Sequence, residues 1–129
     1  MTQPKPGQIW QHQKHDPDNP AKWHEYRVVM LSITSKYLAS DQHKIFYAVD
    51  TETEAKLQVV ATQQMVSDER GDYLQDTGNC YLFDGNKQIR KPYILYQNIV
   101  PEVDSALWAR PLENFMSDRN NEPRFRLVE

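Results

Sequence analysis

The chain is short of cysteine, glycine, long apolar runs and net positive charge, and each shortage excludes something. Cys80 is the only cysteine among 129 residues, so no intrachain disulfide forms and a cysteine-rich zinc site is excluded. Four glycines include no phosphate-cradling loop, and no G-x-S-x-G nucleophile elbow occurs. The longest apolar runs, such as Val28 to Leu31, fall far below the roughly 20 residues of a membrane-crossing helix. The opening "MTQPKPGQ" lacks the apolar stretch of a secretion signal. A soluble, cytoplasmic protein with no membrane partner is expected. Net charge is −3 and the isoelectric point about 5.8. That gives no global field for nucleic acid, which is therefore not a favoured partner, although a local basic face stays open.

What is present bounds the fold. The length fits one domain, residues 1–129, able to bury roughly two thirds of its unfolded surface. The apolar fraction of 39% is below the usual range, which implies loops or hairpins reaching out from a small core. Apolar residues alternate more often than they recur at helical spacing, which points to β structure. Strands are expected over 7–14, 25–34, both sides of an acidic connection at 50–54, 92–100 and 123–128. Over 25–34, Tyr26, Val28 and Met30 fall on one face and Val29, Leu31 and Ile33 on the other. Asp84-Gly85 is the strongest hairpin signal. The segments 15–23 and 62–79 read as loops, the second exposed and acidic. Leu107 and Trp108 extend a strand, and Pro111 suits the first position of a short helix ending near Met116. The fold class is mostly β: a small antiparallel SH3-like barrel with an inserted hairpin region and one short helix near the C-terminus.

Three groups of residues carry a family resemblance. Gly7, Trp10, His12 and Lys14 occupy the opening strand, followed by Tyr26 and Val28 in a Tyr-x-Val strand. Tyr96 leads into W-x-R-P-L-x-x-F, here Trp108, Arg110, Pro111, Leu112 and Phe115. Pro123, Arg124 and Phe125 form a late P-R-F. Together these resemble a small bacterial family of uncharacterised proteins known as domain of unknown function 1653. The resemblance covers mainly residues 6–33 and 92–127. Its members are shorter, so it implies an insertion at about 35–91. The family's acidic Thr-Glu turn has a counterpart in "TETE" at 51–54 and none before Pro92, which leaves the register there open. The resemblance implies a compact β-rich domain and supplies no activity.

Candidate ligand-binding residues are Trp10, His12, Tyr96, Trp108, Arg110, Glu113 and Arg124. The aromatic rings suit stacking, and the arginines suit a phosphate or carboxylate. Core packing is the competing reading for the tryptophans, and an ion pair or helix-start contact for Arg110 with Glu113. His12, His15, Asp16, Asp18 and His24 include metal-ligand types, but no two histidines take the i, i+4 spacing of a helical zinc site, so neither a metal nor a cofactor is expected. Asp76-Thr77-Gly78 matches the aspartic-protease triplet, yet it lacks the apolar strand before it and reads as a turn.

The function expected is a noncatalytic binding module for a small anion, nucleotide or peptide. One alternative is a small enzyme using His12, Glu113 and Arg110 as acid, base and anion holder, for which no catalytic residue has a spacing signature. Another is an interaction subunit using a sheet edge or the acidic insertion.

Overall fold

The structure, a computed structural model, describes residues 3–12, 24–39, 43–102, 104–119 and 121–128. Strands hold 61% of it and helix 5%. The elements are β1 (Ile9–His12), β2 (Glu25–Ser32), β3 (His43–Asp50), β4 (Lys56–Asp68), β5 (Gly71–Asp84), β6 (Lys87–Ile89), β7 (Tyr93–Asn98), β8 (Leu107–Pro111), α1 (Leu112–Phe115), β9 (Asp118–Arg119), β10 (Glu122–Pro123) and β11 (Phe125–Leu127).

Six strands close a barrel in the order β2, β7, β8, β3, β4, β5 and back to β2. Most pairings are antiparallel; the two seams β3–β8 and β2–β5 are parallel and short, each with two paired positions. One edge of β2 is shared, with β1 pairing to Glu25, Tyr26 and Arg27 and β5 pairing to Leu31 and Ser32. β11 then adds to β1, and β6 to the end of β5. The segment that the resemblance treats as inserted thus supplies three of the six barrel strands.

Two apolar clusters lie on opposite sides of the β2–β7–β8 wall. Met30, Leu57, Val59, Ala61, Cys80, Leu82, Tyr93, Leu95 and Ala109 fill the barrel. Outside it, Trp10, Val28, Ile94, Tyr96, Phe115 and Phe125 pack into a second cluster covered by β1, α1 and β11. Strand β7 serves both, sending Tyr93 and Leu95 inward and Ile94 and Tyr96 outward, as period-two geometry requires. In the outer cluster the Phe115 and Phe125 rings stack at 4.0 Å, and Trp10 meets Phe115 edge-on at 5.4 Å.

Several expectations are corrected. Residues 62–79 are not a loop: β4 and β5 stay paired from Gln63 with Asp76 out to Asp68 with Gly71, forming a hairpin arm. Asp76-Thr77-Gly78 is not a turn; it lies in β5, at a bulge where the register slips between Ala61 and Gln63 on the partner strand. Gly78 takes φ +84°, and a Cβ there would come within 2.9 Å of Pro6, so the bulge suits glycine alone. A second bulge between Val28 and Met30 puts these two on different sides of the wall, against the uniform alternation expected of β2. Asp84 pairs with Lys87, so the tight turn is Gly85-Asn86, one residue beyond Asp-Gly. Pro111 has ψ 136° and ends β8, leaving Leu112 to begin the helix. The last strand is broken at Arg124, whose N–H donates to the Ser117 carbonyl at 2.9 Å. The expected loop at 15–23, with His15, Asp16 and Asp18, and Lys14 beside it, lie outside the described residues.

No helix among the described residues is long and apolar enough to cross a membrane.

Candidate functional site

The outer face of the barrel wall is tiled by strand register. Tyr96 lies opposite Trp108, Ile94 opposite Arg110, and Val28 opposite Tyr96. Trp108 and Arg110, two apart on β8, share this face while Ala109 between them points into the barrel. The β3–β4 turn arrives beside β8 because the Thr51 N–H donates to the Ala109 carbonyl at 3.0 Å. Together these elements line a pocket of about 280 Å³ formed by His12, His24, Tyr26, Thr51, Glu54, Tyr96, Asp104, Trp108 and Arg110.

The turn carrying Thr51 and Glu54 is built on Asp50. Its buried carboxylate accepts from the Glu52 N–H at 2.7 Å, the Thr53 N–H at 3.3 Å and the Tyr93 hydroxyl at 3.2 Å. Burial foremost, and then the Asp50 charge, pushes the Tyr93 phenol up to about 12. Glu54 sits at φ 60° with its N–H on the Asp50 carbonyl. The Asp50 carboxylate and the Glu54 N–H bond to the Asp50 carbonyl thus fix the turn that brings Glu54 into the pocket lining.

Arg110 is held from three sides. Nε donates to the Tyr96 hydroxyl at 2.9 Å, Nη1 donates to Asn114 Oδ1 at 2.8 Å, and the guanidinium lies 5.2 Å from the Phe125 ring centre. Glu113, considered above as its ion-pair partner, is exposed and does not line the pocket; the residue Arg110 reaches on α1 is Asn114. Burial raises the Tyr96 phenol to about 12 although Arg110 opposes the rise. Tyr26 meets Tyr96 edge-on at 5.2 Å, and burial raises its pKa too, against a lowering hydrogen bond from Asn98. On the other side, the Trp108 indole N–H donates to Asp104 at 2.6 Å, and Asp104 also accepts from the Ala106 N–H. Arginine and aspartate therefore both bear on the two tyrosine hydroxyls, giving the pocket a positive and a negative side.

Two buried polar atoms in the lining lack a partner among the described residues, His24 Nε2 and Thr51 Oγ1. A buried polar atom left unpaired costs about 1–3 kcal/mol. Both residues line the pocket.

Of the residues proposed from sequence, His12, Tyr96, Trp108 and Arg110 come together in this pocket. Trp10 is 5% exposed and belongs to the outer core. Arg124 donates through Nε to Ser117 Oγ at 3.2 Å, away from the pocket. The grouping of His12, Glu113 and Arg110 is not assembled, since Glu113 stands apart. Sequence reasoning missed Tyr26, Thr51, Glu54 and Asp104, and considered His24 only as a metal ligand. Among the described residues no three His, Cys, Asp or Glu side chains are grouped to hold a metal ion. Cys80 is buried and its thiol is pushed up to about 12 by that burial, so it is not a ready nucleophile.

Comparison with protein-family models, with curated proteins and with solved structures gives no match to this chain.

Proposed function

We propose that this chain is a noncatalytic binding module whose pocket on the outer barrel wall takes a small ligand bearing an anionic group. The guanidinium of Arg110 receives the anion, and the ligand body lies against Tyr26, Tyr96 and Trp108. The observation that carries this reading is the buttressed guanidinium of Arg110 in a pocket lined also by Tyr26, Tyr96 and Trp108, with His24 and Thr51, whose buried Nε2 and Oγ1 lack a partner among the described residues, in the same lining. Such groups gain most from a ligand that supplies the missing hydrogen bonds. At about 280 Å³, the pocket is near the lower end of the range for small-molecule sites, which favours a metabolite-sized ligand or a single side chain of a peptide over a whole dinucleotide.

The resemblance to domain of unknown function 1653 belongs to the same proposal, as do a bacterial, cytoplasmic origin and an SH3-like description of the barrel. Its support is that Tyr96, Trp108 and Arg110, which carry much of the resemblance, line one pocket, while Pro111, Leu112 and Phe115 build the corner beneath it.

Thermal unfolding of the full chain in inorganic phosphate, acetate, glutamate and adenosine monophosphate tests the reading. A ligand at a hundred times its Kd should stabilise the fold by about 2.7 kcal/mol. The stabilisation should vanish in Arg110→Gln and weaken in Thr51→Val. A panel without any stabilising member, or a response undiminished in Arg110→Gln, overturns the proposal.

A further inference from the structure

The hairpin arm beyond the barrel carries a second surface, independent of the pocket. From Gln63 to Asp68 and Gly71 to Asp76 six residue pairs face each other, a reach of roughly 20 Å at strand spacing. Among the described residues no third strand pairs with this part of β4 or β5. Among the described residues the outer edge of β5 therefore presents an open row of backbone N–H and C=O groups, a template for an added strand. The bulge at Thr77-Gly78-Asn79 marks where β5 leaves its pairing with β2 at Asn79 and Cys80, so the arm's edge is clear of the barrel.

The register places Gln63, Met65 and Ser67 on the same face as Asp76, Leu74 and Asp72. Side-chain bonds from Gln63 to Asp76 and from Ser67 to Asp72 confirm that face. Met65 lies directly opposite Leu74, and they are 54% and 46% exposed. An apolar pair is thus framed along β5 by two carboxylates, at spacings of two. A two-stranded hairpin is marginally stable by itself, and an exposed apolar pair gains from being covered. Natural edges are commonly protected by lysine, proline or an inward-pointing charge. Residues 63–76 hold no lysine and no proline.

Charge selects the occupant. Asp68, Glu69, Asp72 and Asp76 against Arg70 give the arm a net −3, equal to that of the entire chain, so the remainder is balanced. Two arms of two copies would repel each other, which disfavours self-pairing. The neutral β4 row of Gln63, Met65 and Ser67 offers no charge to read, whereas the β5 row alternates acid, apolar, acid.

We propose that the outer edge of β5 in the arm takes an extended basic segment of a partner protein as an added strand. The segment reads basic-x-apolar-x-basic: its apolar side chain covers Leu74 and Met65, and its basic side chains meet Asp72 and Asp76. Main-chain hydrogen bonds supply affinity and the alternate side chains supply selectivity.

The test is an NMR titration of the full chain with the peptide acetyl-Gly-Lys-Thr-Val-Thr-Lys-Gly-amide and with its analogue carrying glutamate in place of both lysines. The lysine peptide should shift the amides of residues 71–77, slow their hydrogen exchange and bind less tightly as salt rises. The Asp72→Lys, Asp76→Lys double variant should bind roughly tenfold or more weakly, with the barrel's thermal midpoint unchanged. Leu74→Thr, which keeps the charge and the strand, should also weaken binding. Absence of shifts at millimolar peptide overturns the proposal, as does equal binding of the glutamate peptide or undiminished binding by the double variant. Concentration-dependent dimerisation by sedimentation with the arm amides protected would make a second copy the occupant, and would overturn it as well.

Discussion

The β4–β5 hairpin is continuous, yet its two halves live in different surroundings. Near the barrel, Leu57, Val59, Ala61, Cys80 and Leu82 are 2% exposed or less, because β3, β6 and the opposite barrel wall surround them. Farther out, past the bulge, Met65 and Leu74 are about half exposed although their strands remain paired. The backbone ladder is much the same in both halves. What changes is the removal of apolar surface from water, at roughly 25 cal/mol for each Å². Strand pairing thus sets the shape of the hairpin, and burial sets which half contributes to stability.

The largest expected effect tests that directly. Leu82→Ala should lower unfolding free energy in urea by about 2–5 kcal/mol, because it loses transfer energy and leaves a cavity. The same substitution at Leu74 should stay within about 0.5 kcal/mol. Equal losses at the two positions would break the comparison by showing that the arm is part of the cooperative core.

Alkaline unfolding sharpens the comparison at a smaller scale. Tyr93 and Tyr96, one on each side of the barrel wall, have phenols raised to about 12 from the ordinary 10, with burial the first cause for both. The folded chain holds these protons more tightly than the unfolded chain. Below pH 10 both states are protonated and the contribution is fully present; between pH 10 and 12 the unfolded phenols ionise first and stability falls. For the well-buried Tyr96 the slope is at most about 1.4 kcal/mol for each pH unit. Tyr96→Phe should flatten the decline, read from urea midpoints at pH 9, 10 and 11. An arm-shortened chain should decline as the intact one does. A flattened profile on shortening the arm would place part of the alkaline response outside the barrel.

How far the sequence could be read follows the same division. The barrel strands are legible where apolar residues alternate, as in "PYILYQNIV", and the corner at Trp108 to Phe115 is legible because Pro111 and the i, i+3, i+4 apolar set mark it. The arm reads as a loop because Gln64, Asp72, Gln75 and Asp76 are exposed and Gln63 is only half-buried, so no apolar period betrays a strand that persists by backbone pairing. The Val28–Met30 bulge is equally silent, since residues on both sides of it are apolar. For the site, Tyr96, Trp108 and Arg110 are legible from one strand pair. Thr51, Glu54 and Asp104 are not, because they come from a turn and a connection brought to β8 only by barrel closure. The acidic "TETE" stands out in the chain, but nothing local says that its base, Asp50, is buried under Tyr93.

The smallest expected effect comes from removing the arm altogether. Joining Gln63 to Asp76 through an Asn-Gly turn would retain the bulge and Gly78 while deleting Met65, Leu74 and the acidic tip. The deleted residues are exposed or partly exposed, and their side-chain bonds, such as Arg70 to Asp68 at 2.9 Å, are local to the tip. An exposed ion pair of this kind contributes little, because water screens it. Shortening the loop between strands reduces closure entropy only slowly with length, a few tenths of a kcal/mol and in the stabilising direction. These small terms oppose one another, so the unfolding midpoint should move little and the transition should stay cooperative. Pocket binding should persist, because no residue of 64–75 lines it, whereas binding of the lysine peptide should disappear. A loss of cooperativity on this deletion would show that the arm and barrel fold as one unit, and that exposure understates what the outer hairpin contributes.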